Sequence, residues 1–135
     1  MARVVDSSVL IAIERRGQVT ENFITIAEGD TLAIAAVTAA EVLAGVEFRK
    51  LLTRAHRADS DLEAVFEGVR ILPFDLQAAR VYAKVYAELR SAGRPIGGFD
   101  LQIAATALAN NCDVVTLNVG EFNRIPDLKV IAPDW

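Results

Sequence analysis

With 135 residues, 53% of them hydrophobic, the chain has the size of one compact domain and can bury a core without cross-links. Its single cysteine, Cys112, excludes an internal disulfide, and its single histidine, His56, excludes a zinc site of three or four nitrogen and sulfur ligands. A net charge of −4 argues against a protein that coats nucleic acid by bulk electrostatics, but not against a nuclease, whose acidic metal ligands lower the formal count.

Ala2-Arg3-Val4-Val5-Asp6 reads as a short buried strand ending in an acid, and Ser7-Ser8 followed by the apolar run Val9 to Ile13 suits the start of a helix. After Gly17, residues Thr20 to Ala27 can form a second helix, Gly29-Asp30 a turn, and Leu32 to Val37 a second buried strand. Thr38-Ala39-Ala40-Glu41 has the capping-box pattern, which predicts Thr38 as a helix cap with Glu41 reaching back to it. Val42 to about Gly68 is helical in pattern and predicts two helices with a bend between them.

Val69 to Phe74 is a third predicted strand. Asp75 caps a long helix in which Ala79, Tyr82, Tyr86 and Leu89 recur at spacings of three and four, and Gly93 and Pro95 stop it. Gly97-Gly98 leads into Phe99 to Asn110, which is apolar nearly all round and is expected to be central and buried, with Asp100 in its first turn. Val114 to Leu117 is a fourth strand and Leu128 to Ile131 a short last one. Strands alternating with helices throughout predict an α/β fold: a three-layer α/β/α sandwich with a four- to five-stranded, mainly parallel sheet, in a single domain over residues 1–135. The N-terminus has no signal-peptide pattern and no apolar stretch reaches the length of a membrane span, so a cytoplasmic protein is expected.

Four acids, Asp6, Glu41, Asp100 and Glu121, fall where a predicted strand ends or the next helix begins. In an open parallel sheet those points converge on one crevice at the carboxyl ends of the strands. Carboxylates gathered there repel one another and raise one another's pKa unless a hard cation such as Mg²⁺ or Mn²⁺ takes them as oxygen ligands. Each acid also has a plain structural reading: Asp6 as a helix cap, Glu41 as half of a capping box, Asp100 as complement to a helix dipole, Glu121 as a solvated loop acid.

Arg49, Lys50, Arg54 and Arg57 form a basic run near the Glu41 helix that is either a phosphate-contacting surface or a solvated helix face. Arg15-Arg16 and Arg94 carry the same two readings. Tyr82 and Tyr86 read as packing, as does Cys112, and His56 as surface with no nucleophile to serve. There is no glycine-rich phosphate loop of the P-loop or dinucleotide type.

The chain resembles the PIN-domain ribonucleases, and among them the VapC-type toxins of prokaryotic type II toxin–antitoxin pairs. The resemblance is carried by Val4-Val5-Asp6-Ser7-Ser8, by Thr38-Ala39-Ala40-Glu41-Val42-Leu43-Ala44-Gly45, by Pro95 to Ala107 around Phe99-Asp100-Leu101-Gln102, and by Val115-Thr116-Leu117-Asn118 through Glu121-Phe122. It implies Asp6, Glu41 and Asp100 as the acids nearest the metal, Asp6 and Asp100 as direct ligands, Glu121 as a fourth and more variable acid, and Ser8, Thr116 and Asn118 as polar supports. Phe99 departs from the small or amide residue often found at its position, and Glu121 is one carbon longer than the Asp of some members. The resemblance further implies an Mg²⁺- or Mn²⁺-dependent endoribonuclease, a homodimer, a cognate VapB-type antitoxin that inhibits it, and contact with DNA only through that antitoxin. The alternative is a catalytically weak PIN-like module whose main role is to bind the antitoxin within a DNA-bound repressor.

Overall fold

Val4 and Val5 are adjacent in one strand, point to opposite sides of it, and are both fully buried, so the sheet must be covered on both faces. The computed structural model, which describes residues 2–53 and 57–134, shows that cover. In chain order the elements are β1 (Ala2–Val5), α1 (Ser7–Arg16), α2 (Val19–Ala27), β2 (Thr31–Ala35), α3 (Ala36–Thr53), α4 (Arg57–Gly68), β3 (Arg70–Leu72), α5 (Leu76–Ser91), α6 (Gly98–Ala109), β4 (Asp113–Val115), α7 (Val119–Phe122) and β5 (Val130–Ile131). The five strands form one sheet in the order β3-β2-β1-β4-β5, and every neighbouring pair is parallel. This is the predicted fold class.

The period of two along each strand sorts the core into two halves. Val4, Ala33, Ala35 and Val114 face α5 and α6, and pack with Val85, Leu89, Leu101, Ile103, Ala104 and Phe122. Val5, Ile34 and Val115 face the other way, toward Val9, Leu10 and Ile13 of α1, Val42 and Val46 of α3, and Leu62 and Val65 of α4. Helix α6 is buried through Leu101, Ile103, Ala104, Ala105, Thr106 and Ala107, as its all-round apolarity predicts. Cys112 packs in the first of these halves.

The order in which strands are added reverses beside β1: β2 and β3 lie on one side of it, β4 and β5 on the other. In open α/β sheets such a switch point leaves a crevice outside the carboxyl ends of the strands. Asp6 and Thr116 are the residues that follow β1 and β4 there, and the amide of Asp6 donates to Val115 O at 2.9 Å.

Several boundaries differ from the sequence reading. β2 stops at Ala35 and α3 starts at Ala36 with no loop, so Thr38 lies inside the first turn and the predicted capping box does not form. Alanine is the best helix former, so Ala36 enters the helix directly, whereas an N-cap residue needs non-helical backbone angles that Thr38 no longer has. β3 ends at Leu72 because Pro73 has no amide hydrogen for the ladder. The short α7 was not expected. Arg54 and His56 lie outside the described residues. No helix among the described residues is long and apolar enough to cross a membrane.

At α5 the local rule holds fully: Asp75 has extended backbone angles and its Oδ1 accepts the Ala78 amide at 3.0 Å. Replacing Asp75 with alanine is expected to lower stability by about 1 kcal/mol, the usual worth of such a cap, as read from the urea midpoint.

Candidate active site

Asp6 occupies the N-cap position of α1 with extended backbone angles, as Asp75 does for α5, yet its side chain makes no capping bond. Its carboxylate turns to the sheet edge instead. Ser8 Oγ donates to Asp6 Oδ2 at 2.7 Å, and Thr116 Oγ1 donates to the same oxygen at 2.8 Å. Each hydroxyl is itself an acceptor: the Leu117 amide donates to Ser8 Oγ at 3.1 Å and the Asn118 amide to Thr116 Oγ1 at 2.9 Å. A hydroxyl has one hydrogen, so accepting from an amide leaves that hydrogen for the carboxylate. The turn after β4 thus fixes the orientation of an acid 110 residues away in sequence. Asp6 is 2% exposed, and Oδ1 takes only a 3.4 Å contact from Ser7 Oγ, so that oxygen keeps lone pairs for another partner.

Glu41 sits in α3, level with this centre. Burial raises its pKa first, the charge of Asp6 raises it further, and a hydrogen bond with Ser7 lowers it. Its Oε1 is buried without a hydrogen-bond partner. Asp100, in the first turn of α6, is pushed from an ordinary value of 3.8 up to about 7. Burial is the largest cause, followed by a shared hydrogen bond with Glu121 and the charges of Asp6 and Glu121, while a hydrogen bond from Asn118 pulls the other way. Asn118 Nδ2 donates to Asp100 Oδ2 at 3.0 Å and to Glu121 Oε2 at 3.1 Å, so one amide group bridges two acids carried by α6 and α7. Asp6 therefore lies within electrostatic reach of both Glu41 and Asp100, and Asp100 within reach of Glu121, with Ser8 and Thr116 bonded to Asp6 and Asn118 to Asp100 and Glu121.

Among the described residues, no three carboxylate, imidazole or thiol groups already stand together at ion-coordinating spacing. Mg²⁺ is commonly held by one or two carboxylates and keeps several waters, so a closed protein cage is not what such an ion needs. The donor set fits it: all oxygen, a lightly engaged Asp6 Oδ1, an unmatched Glu41 Oε1, and an Asp100 whose pKa is raised first by burial and then by its acidic neighbours.

Two members of the basic run, Arg49 and Lys50, pair with acids outside the four. Arg49 Nη2 pairs with Glu14 Oε1 at 2.6 Å, tying α3 to α1, and Lys50 Nζ pairs with Glu47 Oε1 at 3.1 Å. Arg57 opens α4. Tyr82 and Tyr86 stack on each other at 6.2 Å between ring centres, with Phe74 edge-on to Tyr82. A separate hollow of about 440 Å³ lies between α2, α4 and β2, lined by Val19, Phe23, Ile24, Leu32, Val65 and Val69, and none of the four acids lines it.

Sequence reasoning missed Ser7, which contacts both Asp6 and Glu41. The available signal was a polar residue in a helix whose neighbours Val9, Leu10 and Ile13 are all core. It also read Thr38 as a cap, although the residue is wholly buried.

A family model described as the PIN domain matches residues 3–128 of the chain. The chain is 34% identical over 132 residues to the Ribonuclease VapC of Rickettsia bellii, spanning 98% of this chain and 96% of that protein. It superposes with a TM-score of 0.83 and 27% identity on a chain of the VapBC2 complex from Rickettsia felis bound to a DNA fragment from their promoter, covering 99% of this chain and all (100%) of that one. Against VapBC-1 from nontypeable Haemophilus influenzae the TM-score is 0.78 at 28% identity, over 98% of each chain.

The raised pKa of Asp100 has a consequence for the metal-free protein. The folded form holds this proton up to about pH 7 while the unfolded chain releases it near 3.8, so between those values folding takes up a proton. Stability is expected to fall as pH rises through that window, with Glu41 adding in the same direction. Melting temperatures taken from pH 4 to 7.5 in chelator check this, and Asp100→Asn should remove most of the slope.

Proposed function

This chain belongs to the PIN-domain family, and from that premise we propose that it is the toxin of a type II toxin–antitoxin pair, an endoribonuclease that hydrolyses RNA phosphodiester bonds with Mg²⁺ or Mn²⁺. The observation that carries the reading is the Asp6 carboxylate gripped by Ser8 and Thr116 at the sheet's switch point, with Asp100 and Glu121 joined beside it by Asn118. A protein that used these acids only to cap helices would have no reason to hold them this way. The unit is a single nuclease domain, consistent with a family match that runs nearly end to end.

Asp6 and Asp100 are the residues that would hold the ion. When bound, it supplies a water of lowered pKa and stabilises the negative charge that builds on phosphorus. The chain's own groups do the rest. Ser8 and Thr116 keep Asp6 in one orientation, and Asn118 sets the spacing of Asp100 and Glu121. Glu41, whose burial and acidic neighbour make it a stronger base than an exposed carboxylate, would accept a proton from the attacking water. Attack by water with departure of the 3′ oxygen leaves 5′-phosphate and 3′-hydroxyl ends. Since no 2′-hydroxyl takes part, preference for RNA comes from contacts outside the acids. Arg49, Lys50, Arg54 and Arg57 are the candidates for the phosphate backbone. The ion pairs of Arg49 and Lys50 have exposed members, and such pairs are worth about 0–1 kcal/mol, so an incoming phosphate can replace their carboxylates.

The partner is a VapB-type antitoxin. Support comes from the VapBC complexes that this fold superposes on, one of them bound to promoter DNA, and the apolar hollow between α2 and α4 offers a surface for a protein tail. DNA would be met only through that partner, and the toxin itself would be a homodimer. The same likeness favours one second reading, a module that binds the antitoxin with little turnover of its own. A metal-dependent cleavage assay on the free protein separates the two.

Asp6→Asn and Asp100→Asn each remove charge from a ligand at constant size. Both are expected to lower Mn²⁺-dependent cleavage of a synthetic RNA by at least about 100-fold, since even outer partners of a ligand cost 10- to 100-fold, while circular dichroism stays native. Full activity in both purified variants would end the proposal. Mn²⁺ or Mg²⁺ should also raise the melting temperature of the wild type, by roughly 2.7 kcal/mol of added stability at a hundredfold excess over the dissociation constant.

A further inference from the structure

Two side-chain atoms among the described residues are buried with no hydrogen-bond partner, and both belong to α3: Thr38 Oγ1 and Glu41 Oε1. Thr38 is wholly inaccessible, at 0% exposure. Being three residues apart on one helix, the two side chains lie on the same face. That face is turned to the acid centre, because Glu41 feels the charge of Asp6 and shares a hydrogen bond with Ser7. One atom is a donor lacking an acceptor, and the other is an acceptor lacking a donor.

The ordinary reason for a threonine three places before a glutamate is the capping box, and α3, starting at Ala36, rules that out here. Nor does the fold need the hydroxyl, since valine has the same shape and brings no unmatched polar atom into the interior. A buried hydroxyl kept without a partner in the fold calls for a partner from outside it. A single water between them would satisfy both atoms, since a buried water takes two to four polar partners of this kind.

We infer that Thr38 is a positioning residue of the ion site: its hydroxyl, together with Glu41 Oε1, holds a water belonging to the hydration shell of the divalent ion at Asp6 and Asp100. The inference rests on the metal-dependent reading given above and adds Thr38 to it. Mg²⁺ and Mn²⁺ retain waters when bound through few carboxylates, and groups that fix those waters set affinity as ligands do. Thr38 touches neither ion nor substrate, and acts through the water and through Glu41.

The test uses the full chain and Mn²⁺ alone, followed by titration calorimetry, with melting curves in chelator. Thr38→Val is expected to weaken Mn²⁺ binding about 10-fold or more and to melt, metal-free, no lower than the wild type, because only an unmatched hydroxyl is lost. Thr38→Ser, which keeps the hydroxyl, should bind Mn²⁺ close to wild-type strength. Wild-type affinity in Thr38→Val overturns the inference. So does a metal-free Thr38→Val that melts well below wild type, which would show a partner within the fold, or a Thr38→Ser as weak as the valine variant, which would trace the loss to shape. If the wild type itself takes up no Mn²⁺, the metal-dependent reading falls first and this inference with it.

Discussion

Four carboxylates brought to one edge of a parallel sheet repel one another, and the polar contacts around them are responses to that repulsion. Two unit charges about 6 Å apart at an effective dielectric of 20 repel by about 3 kcal/mol. A hydrogen bond to a charged group contributes roughly 1.5–3 kcal/mol. Asp6, the most buried of the four acids, receives two short ones from Ser8 and Thr116, enough to offset a neighbouring charge. Asp100 receives a single amide bond, from a group it shares with Glu121, and that does not suffice against burial and two neighbours. It takes up a proton instead. The same constraint is met by donors at one acid and by protonation at the other, and the difference follows from which side chains the β4 turn can deliver.

That asymmetry is built into the topology. β1 is the central strand and β4 its partner across the switch point, so Asp6 and Thr116 emerge side by side whatever lies between them in sequence. Asp100 and Glu121 come from the first turns of helices, where the dipole favours negative charge but, among the described residues, only Asn118 is within bonding reach of both. Away from this edge the chain obeys local rules: Asp75 caps α5, and Gly17 with positive φ closes α1 by donating to Ile13 O. At the edge the rules fail together. Asp6 declines to cap α1, Thr38 buries an unmatched hydroxyl, and Glu41 an unmatched oxygen. Departures from local consistency that cluster in one place mark a site held for function rather than for folding.

How much of this could be read in advance depended on whether local and long-range demands coincided. The strand and helix order was legible because each element is apolar with its own period, and Asp75, Gly93 and Pro95 act within a few residues of where they stand. Asp6 and Asp100 were legible because a strand end and a too-apolar helix both point to the crevice. Glu41 was obscured by a pattern with a sufficient local explanation, the capping box, which the direct passage from β2 into α3 removes. Strand ends were overestimated where a proline or a turn intervenes, as at Pro73 and after Val115. The service of Ser7 to two acids, and the relay from the Leu117 and Asn118 amides through hydroxyls to Asp6, depend on contacts across more than 30 and 100 residues. No pattern within one segment carries that information.

A proton and a divalent ion are two ways of supplying the positive charge that this edge lacks, and they compete for the same oxygens. With the proton on Asp100 the metal-free domain can fold without an ion, unlike small metal-dependent domains whose core forms only around the metal. Binding the proposed ion would release that proton and so tie affinity to pH through the group that burial has moved into the neutral range. The acidic balance of the chain works in the same direction, since a net charge of −4 gives RNA no reason to approach until the cluster is neutralised. An ion held at Asp6 and Asp100, as proposed, would do two things at once: relieve the repulsion within the fold and reverse the local sign of charge where a phosphate must sit. A cationic group from a protein partner placed there would relieve the same repulsion without supplying an activated water, and would be a sufficient way to keep the fold stable and the centre silent.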